Sequence, residues 1–213
     1  MKDLAIVGAG GFGKEVRTLV DHINQRKPTW NLLGFYDDQP LRQVQGLPVI
    51  GSVEELVDQP QKPRLVIAIG NPGIRCKIVA SLKASGASFA ALVHPTVVIG
   101  EPQTVKIGGG SIITAGVIMT TDIQIGEHVI INLNTTIGHD TAIADFCAIM
   151  PGVNLAGNVK LEKGVYIGAG ANVLGGTTLG EFCTIGAGAV VTRDIPAHTT
   201  AVGVPARVLK NTD

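Results

Sequence analysis

The second half of this 213-residue chain repeats an aliphatic residue at every sixth position. The repeat continues without insertion or deletion, and the residue four places further on is always small or β-branched. A period of six fits neither a helix nor a flat strand, and a short period kept over such a length is typical of a solenoid. The aliphatic positions are Ile107, Ile113, Met119, Ile125, Ile131, Ile137, Ile143, Ile149, Leu155, Leu161, Ile167, Val173, Leu179, Ile185 and Val191.

Each hexad is interpreted as a short strand followed by a tight turn, with the aliphatic and fourth-on side chains directed inward. Gly or Ala often follows the aliphatic residue, as at Gly108, and we expect the backbone to bend sharply there. Three hexads would close one triangular coil, so the hexads from Ile107 predict about five stacked coils. Val93 and Ile99 extend the repeat backwards after a slip, so the solenoid is expected to begin near Phe89.

Composition restricts the class of partner. Lysine plus arginine and aspartate plus glutamate both number 17, and there is no basic run, which disfavours nucleic acid and anionic membrane surfaces. No apolar stretch is long enough to span a bilayer, and the N-terminus lacks the features of a signal peptide. The three cysteines show neither disulfide nor metal spacing, and two of them, Cys147 and Cys183, fall on inward hexad positions. We therefore expect a cytoplasmic protein.

The first half alternates strand and helix patterns, which predicts a small α/β domain with a parallel sheet. A buried strand over residues 4–8 leads into Gly8-Ala9-Gly10-Gly11-Phe12-Gly13, and a helix is predicted over residues 14–26. Strands over residues 32–36 and 65–69 end in Asp37-Asp38 and Gly70-Asn71, and a helix over residues 74–85 follows. The predicted domains are residues 1–88 and 89–213.

The glycine-rich turn stands between a strand and a helix, as a phosphate-binding G-x-G-x-x-G requires. Ligands of open α/β sheets bind beyond the carboxyl ends of the strands, where this turn, Asp37, Asp38, Gly70 and Asn71 should converge. A nicotinamide dinucleotide is disfavoured, because the domain is too small for two mononucleotide-binding halves. A nucleotide or nucleotide sugar fits better. The alternative is that the glycines serve only close strand–helix packing.

One histidine differs from the other four. His139 lies in Ile137-Gly138-His139-Asp140-Thr141, at the turn of its hexad, so it should point outward beside a carboxylate. Coil stacking should put Gly157 and Gly175 next to it along the solenoid axis, which leaves room for a narrow ligand. The alternative is a solvated surface histidine, and His22, His94, His128 and His198 are interpreted in that way.

Several motifs, taken together with the repeat, carry a resemblance to one family. They are Ala5-Ile6-Val7-Gly8-Ala9-Gly10-Gly11-Phe12-Gly13, Phe35-Tyr36-Asp37-Asp38, Ala68-Ile69-Gly70-Asn71-Pro72 with Arg75, Gly138-His139-Asp140, Ala156-Gly157-Asn158-Val159 and Val202-Gly203-Val204-Pro205-Ala206. The repeat resembles the left-handed parallel β-helix of hexapeptide-repeat acyltransferases, and the whole chain resembles the sialic-acid O-acetyltransferase and nucleotide-amino-sugar N-acetyltransferase branch.

The resemblance implies a homotrimer that binds acetyl-CoA in the groove between neighbouring solenoids. It implies that His139 is the general base and that Asp140 orients it. The pantetheine arm would pass Gly157, Ala169 and Ala187. The N-terminal domain would hold the nucleotide sugar through Gly10, Gly11, Phe12, Gly13, Asp37, Asp38, Gly70 and Asn71.

One departure from the family pattern concerns Ala148. Some members carry a second histidine at this position, near the thioester carbonyl, so Ala148 is expected to border the coenzyme, while other groups polarise the carbonyl. The first functional hypothesis is direct acetyl transfer to a nucleotide-linked amine. The second is O-acetylation of sialic acid or a related sugar, and the third is a solenoid that only assembles or binds without catalysis.

Overall fold

The computed structural model describes residues 1–40 and 42–209, so the last four residues of the second predicted domain lie outside the described part. The N-terminal part is a five-stranded sheet with helices on both faces. Strand order is β3-β4-β2-β1-β5, and all neighbours are parallel except β3 and β4. The elements are β1 (Lys2–Val7), α1 (Gly11–Arg26), β2 (Trp30–Tyr36), β3 (Gln43–Val44), β4 (Leu47–Gly51), α2 (Val53–Asp58), β5 (Arg64–Ile67) and α3 (Pro72–Ala84).

Two differences from the sequence prediction concern helix α1 and the segment after β2. Helix α1 begins at Gly11, three residues earlier than predicted, so the glycine turn itself forms its first turn. Strands β3 and β4 and helix α2 were not predicted. Helix α2 is fixed by a capping box, in which the Ser52 side chain accepts from the Glu55 N–H and the Glu55 carboxylate accepts from the Ser52 N–H.

Residues from Leu92 onwards form a three-sided parallel β-helix, and each strand pairs with the strand three hexads later. Face 1 has eight strands: Leu92–Val93, Ile112–Ile113, Ile130–Ile131, Ala148–Ile149, Tyr166–Ile167, Thr184–Ile185, Thr200–Val202 and the antiparallel Arg207–Val208. Face 2 has six: Val98–Ile99, Ile118–Met119, Thr136–Ile137, Asn154–Leu155, Asn172–Val173 and Val190–Val191. Face 3 has five: Lys106–Ile107, Gln124–Ile125, Ala142–Ile143, Lys160–Leu161 and Thr178–Leu179.

The predicted inward positions form the core of this prism. Every aliphatic hexad residue from Ile113 to Val191 is buried, and so is every fourth-on residue from Ser111 to Ile195. The coil-by-coil packing predicted from the six-residue period is therefore confirmed. We name the edges by the faces that meet there: edge 1–2, edge 2–3 and edge 3–1.

The sharp bend of each hexad lies two residues later than predicted. From Gly110 to Gly188, every sixth residue has a positive φ, and where it is not glycine the residue is Asp, Asn, His or Phe. The glycines directly after the aliphatic residue, such as Gly108 and Gly138, have no such φ. They lie so close to the next coil that a Cβ atom would collide with its backbone. The prediction of a bend at these glycines was wrong, because close approach between coils requires them.

Strand β5 is the edge strand of the N-terminal sheet that lies next to the solenoid. Phe89 forms a parallel bridge with Leu65 of β5, so the segment before Leu92 extends the sheet. Helix α1 and face 1 share an apolar cluster that includes Leu19 and Ile112, and Phe146 of edge 3–1 packs against the cluster that contains α3. The N-terminal part therefore covers the lower coils of face 1.

A buried arginine ties α3 to the solenoid. Arg75 is 1% exposed and donates only to backbone carbonyls, namely those of Ile69, Gly70, His128, Phe146 and Cys147. Burial lowers the pKa of Arg75 to about 10, and the side chain remains a cation at neutral pH. Its fork links the turn after β5 to two successive coils, and so fixes one domain on the other.

Candidate active site

The outward histidine of the third coil is paired with a carboxylate, as predicted. His139 Nδ1 lies 2.7 Å from Asp140 Oδ2, and the two side chains are 63% and 62% exposed. Asp140 occupies the positive-φ corner, with φ 58°, which turns its side chain towards the ring. A neutral imidazole that donates from Nδ1 to this carboxylate keeps the Nε2 lone pair free. The pair is thus built to accept a proton at Nε2.

Glycines next to this ring along edge 2–3 give the space that the repeat predicts. A Cβ atom on Gly157 would collide with Nε2 of His139, so only glycine allows the ring to lie over this position. Gly175 follows one coil later and is exposed. The backbone continues the stack, since the Asn158 N–H donates to the His139 carbonyl at 2.7 Å. The two coils that follow His139 therefore carry no side chain at the positions next to the imidazole.

The four positions predicted to border the coenzyme do not lie together in one chain. Gly157 lies on edge 2–3, whereas Ala169 and Ala187 are exposed on edge 1–2, at the other side of face 2. Ala148 lies on face 1 and has no exposed surface. Its methyl group faces the docked N-terminal part and cannot contact a coenzyme, so the prediction for Ala148 was wrong.

The glycines of the turn after β1 have different structural roles. A Cβ atom on Gly13 would collide with the Gly8 carbonyl, so Gly13 is required for packing of helix against strand. Gly10 and Gly11 are exposed, and a Cβ atom at either would meet nothing within 4 Å. Phe12 is half-buried against the α1 cluster. Packing therefore does not explain Gly10 and Gly11, which form the open N-terminus of α1.

The polar residues at the strand ends converge as predicted, but some of their side chains are already engaged. Asp37 accepts from the Ala9 N–H at 2.6 Å and from the Gln39 N–H at 2.8 Å, so it shapes the turn after β1. Asp38 accepts from the first N–H of α2, at Val53, over 2.9 Å. Asn71 caps α3, and the Gly70 carbonyl accepts from Arg75.

The two candidate regions lie on opposite sides of the same chain. The strand ends of the N-terminal sheet are held on face 1, whereas His139 lies on edge 2–3, which is opposite to face 1 in a three-sided prism. A ligand held at Gly10 and Gly11 therefore cannot reach His139 of its own chain.

Two of the other histidines, His94 and His128, are buried, contrary to the sequence interpretation, whereas His22 is exposed on α1. His22 Nδ1 lies 2.8 Å from His94 Nε2, across the junction between α1 and the solenoid. His128 is 1% exposed, stacks on Phe146, and its ring nitrogens have no hydrogen-bond partner within residues 1–40 and 42–209. Burial lowers the pKa of His128 to about 4. His128 occupies the same position in its hexad as Asp140 and Asn158. The six-residue period of the sequence could therefore have identified it as a corner residue.

The buried cysteines offer no nucleophile. Cys147 and Cys183 are fully buried, as predicted, and burial raises the pKa of each thiol to about 12. Within the described residues, no group of three or more His, Cys, Asp or Glu side chains could hold a metal ion. Across the same residues, no helix combines the length and apolar character needed to cross a membrane.

Both parts of the chain are similar to known protein families. Residues 3–82 match the PglD N-terminal domain, and residues 158–193 match the bacterial transferase hexapeptide (six repeats). The GDP-perosamine N-acetyltransferase of Escherichia coli O157:H7 is 32% identical over 166 residues, which cover 77% of this chain and 74% of that protein.

Two solved structures are similar over nearly the whole chain. A mutant of perosamine N-acetyltransferase from Caulobacter crescentus, with histidine replaced by asparagine and with CoA and GDP-perosamine bound, has a TM-score of 0.90 at 32% identity and covers 99% of this chain and 98% of that one. The acetyltransferase domain of PglB from Neisseria gonorrhoeae FA1090, in complex with acetyl coenzyme A, has a TM-score of 0.90 at 35% identity and covers 98% and 99%.

An α/β domain joined to a left-handed parallel β-helix, with an outward histidine–carboxylate pair, defines a hexapeptide-repeat acyltransferase. Within that class, the similarity to N-acetyltransferases extends over both domains and therefore identifies the family. The chain belongs to the family of nucleotide-amino-sugar N-acetyltransferases.

Proposed function

We propose that this protein transfers the acetyl group of acetyl-CoA to the amine of a nucleotide-linked amino sugar, of the UDP-, GDP- or dTDP-4-amino-deoxysugar type. The observation that carries the proposal is the His139–Asp140 pair beside Gly157, in a chain similar over its length to enzymes crystallised with CoA and GDP-perosamine. Acetyl-CoA is then a co-substrate, and the reaction needs no metal.

His139 acts as the general base in this proposal. Its Nε2 takes the proton of the attacking amine as the nitrogen adds to the thioester carbon, and Asp140 stabilises the imidazolium that forms. Coenzyme A leaves as a thiolate, which is a good leaving group. General-base assistance of this kind contributes about a hundred- to ten-thousand-fold. Transfer is direct, since Cys147 and Cys183 are buried and protonated.

A homotrimer is the assembly that brings the two regions together. Because the nucleotide region and His139 face opposite ways in one chain, a complete site requires His139 from one subunit and the strand ends of its neighbour. Edge 1–2 and face 2 support such a contact: no Lys, Arg, Asp or Glu occurs on them, from Val93 to Ile99 or in any later coil up to Val191. Depletion of charge is a feature of protein interfaces.

The coenzyme has a natural path between subunits in this assembly. Edge 2–3 of one subunit supplies His139 and Gly157, and edge 1–2 of its neighbour supplies Ala169 and Ala187. These four residues then line the two walls of one groove. The arrangement accounts for their separation within a single chain, and it removes Ala148 from the coenzyme site.

The nucleotide belongs to the N-terminal domain, residues 1–88, and the chemistry to the solenoid, residues 89–213. Gly10, Gly11, Phe12 and Gly13 present the N-terminus of α1 to the diphosphate, since the first N–H groups of a helix have no partners within the helix and carry partial positive charge. The helix has no acidic residue in its first turn, which favours an anion. Asp37, Asp38, Gly70 and Asn71 complete this site, and the cytoplasm is the compartment we propose.

The test uses the full-length protein with acetyl-CoA and a panel of acceptors. Release of the coenzyme A thiol is followed with UDP-, GDP- and dTDP-linked 4-amino sugars and with free sialic acid. We expect release with a nucleotide amino sugar and none with sialic acid. Release with sialic acid alone would establish the O-acetyltransferase hypothesis instead. If no acceptor works and acetyl-CoA does not raise the melting temperature, the molecule is a non-catalytic solenoid.

A further inference from the structure

The order of the strands in the N-terminal sheet indicates the direction in which a bound ligand would lie. Sheet order is β2-β1-β5, and β5 is the strand that adjoins the solenoid through Phe89. The three strand ends therefore form a row that leads towards face 1: Asp37 after β2, the glycine turn after β1, and Gly70 after β5. The groups of a nucleotide sugar also follow one another in a line, in the order ribose, diphosphate and hexose.

A groove lies at the solenoid end of this row. One wall is the turn formed by Gly70, Asn71 and Pro72. The other is formed by Tyr166 and Thr184 of face 1 and by Met150 at the start of edge 1–2. The N-terminal part covers the outward residues of the lower coils completely, from Leu92 to Ala148. Tyr166 and Thr184 are half-exposed, because coverage ends at the groove.

We propose that this groove holds the hexose ring of the nucleotide sugar and that Tyr166 is a specificity-determining residue. The inference rests on the proposed function and assigns a sugar subsite to the solenoid of the same subunit. With ribose near Asp37 and diphosphate at the N-terminus of α1, the hexose is the next unit and reaches the turn at Gly70.

The side chains of the groove suit a deoxyhexose. The ring of Tyr166 offers a flat apolar surface with a hydroxyl at its tip, and among the described residues that hydroxyl makes no hydrogen bond. Met150 is an adaptable apolar neighbour for a methyl substituent, and Thr184 supplies a second hydroxyl. Met150 also begins the turn into edge 1–2, the edge that faces His139 of the neighbouring subunit. The sugar amine would therefore point towards its base.

Replacing Tyr166 tests this subsite, with Thr178 on face 3 as the site of a matched control. We measure kcat and KM for the nucleotide amino sugar and for acetyl-CoA, together with the Kd for the free nucleoside diphosphate by calorimetry. We expect Tyr166→Ala to lower kcat/KM for the nucleotide sugar by at least about ten-fold and Tyr166→Phe by about three- to ten-fold. Thr184→Ala should lower it measurably, and Thr178→Ala should not.

The outcomes separate this inference from the proposed function. In the Tyr166 variants, the KM for acetyl-CoA and the Kd for nucleoside diphosphate should remain within about two-fold of the parent, whereas a structural defect would move all three constants. Unchanged kcat/KM in Tyr166→Ala overturns the inference while leaving the proposed function intact. If the parent protein acetylates no nucleotide sugar, the proposed function itself fails.

Discussion

The guanidinium of Arg75 donates a hydrogen bond of 2.6 Å to the carbonyl oxygen of Phe146, 71 residues further along the chain. This contact joins α3 to a corner of the solenoid, and the same side chain holds the carbonyls of Ile69 and Gly70. One buried cation therefore sets the position of the turn after β5 relative to the coils.

Loss of Arg75 should destabilise the protein strongly. Arg75→Met leaves several buried carbonyl groups without donors, and we expect the free energy of unfolding to fall by about 3 kcal/mol or more. Chemical denaturation of both proteins measures the difference. The control is Lys83→Met, which removes the exposed 3.2 Å ion pair with Glu127 between the same two regions. Its effect should stay below about 1 kcal/mol, and equal effects of the two variants would contradict the role given to Arg75.

Replacement of the candidate base should abolish turnover without affecting assembly. His139→Ala removes the proton acceptor from an exposed edge, so we expect kcat to fall by about a hundred- to ten-thousand-fold. Sedimentation should report the same oligomer as the parent protein. Asp140→Asn keeps the shape but removes the charge, and should lower kcat by a smaller factor. Near-normal kcat in His139→Ala would exclude this residue as the base.

Two glycines of one turn should respond differently to the same substitution. Gly13→Ala puts a methyl group against the Gly8 carbonyl, so we expect a lowered melting temperature. Gly10→Ala has open space around the new methyl group and a backbone conformation, φ −71° and ψ −165°, that other residues adopt. Its melting temperature should remain unchanged while its KM for the nucleotide sugar rises. An unaltered KM would mean that no ligand approaches Gly10.

Complementation between subunits tests the shared site. Gly10→Asp adds a negative charge where the diphosphate would bind, and His139→Ala removes the base, so each variant alone should be inactive. Co-expression in equal amounts should restore about a quarter of the parent activity, because a site is complete only when His139 and Gly10 come from suitable neighbours. A site contained within one chain would give no recovery, and that result would refute the shared arrangement.

Acid should weaken the solenoid through His128. Burial lowers the pKa of His128 to about 4 from an ordinary 6.5. The positive charges of Arg75 and Lys83 also lower this pKa, whereas the carboxylates of Glu127 and Asp145 raise it. The unfolded chain therefore binds more protons between these values, so stability is complete above pH 6.5 and falls as the pH drops towards 4, by up to about 3 kcal/mol. His128→Phe, which places Phe in the backbone conformation that Phe146 already adopts, should flatten this dependence in denaturation measured from pH 7 to 4.

The solenoid could be predicted because short stretches of the sequence specify it. One six-residue period specifies the inward positions, the pairing of strands three hexads apart and the placing of Gly157 beside His139. None of these features depends on a distant segment. The same local reasoning identified the strand ends at Asp37 and Gly70.

Segment 43–58 was missed because its signals are short and mixed. Strand β4 contains Pro48, which is typical of an edge or irregular strand, and β3 has only two residues. The spacing of Ser52 and Glu55 matches a capping box, and this pattern could have predicted α2 from the sequence.

The contacts between domains could not be predicted from period or spacing. Ala148 occupies an outward hexad position, and the docked N-terminal part buries it. Arg75 finds its acceptors at corners that lie more than fifty residues away, as at His128. Burial of such groups depends on which face another domain covers, and no single segment encodes that choice.

The positive φ at every sixth residue turns the chain from one face of the prism to the next, so three hexads together restore the backbone direction with which they began. Removing three successive hexads above His139 would therefore join two corners of the same kind and leave the remaining rungs aligned. The height of the prism can change by whole turns while the His139–Asp140 pair in the third turn keeps its geometry. Such a shortened molecule would lose only those groove residues that the removed turn carries.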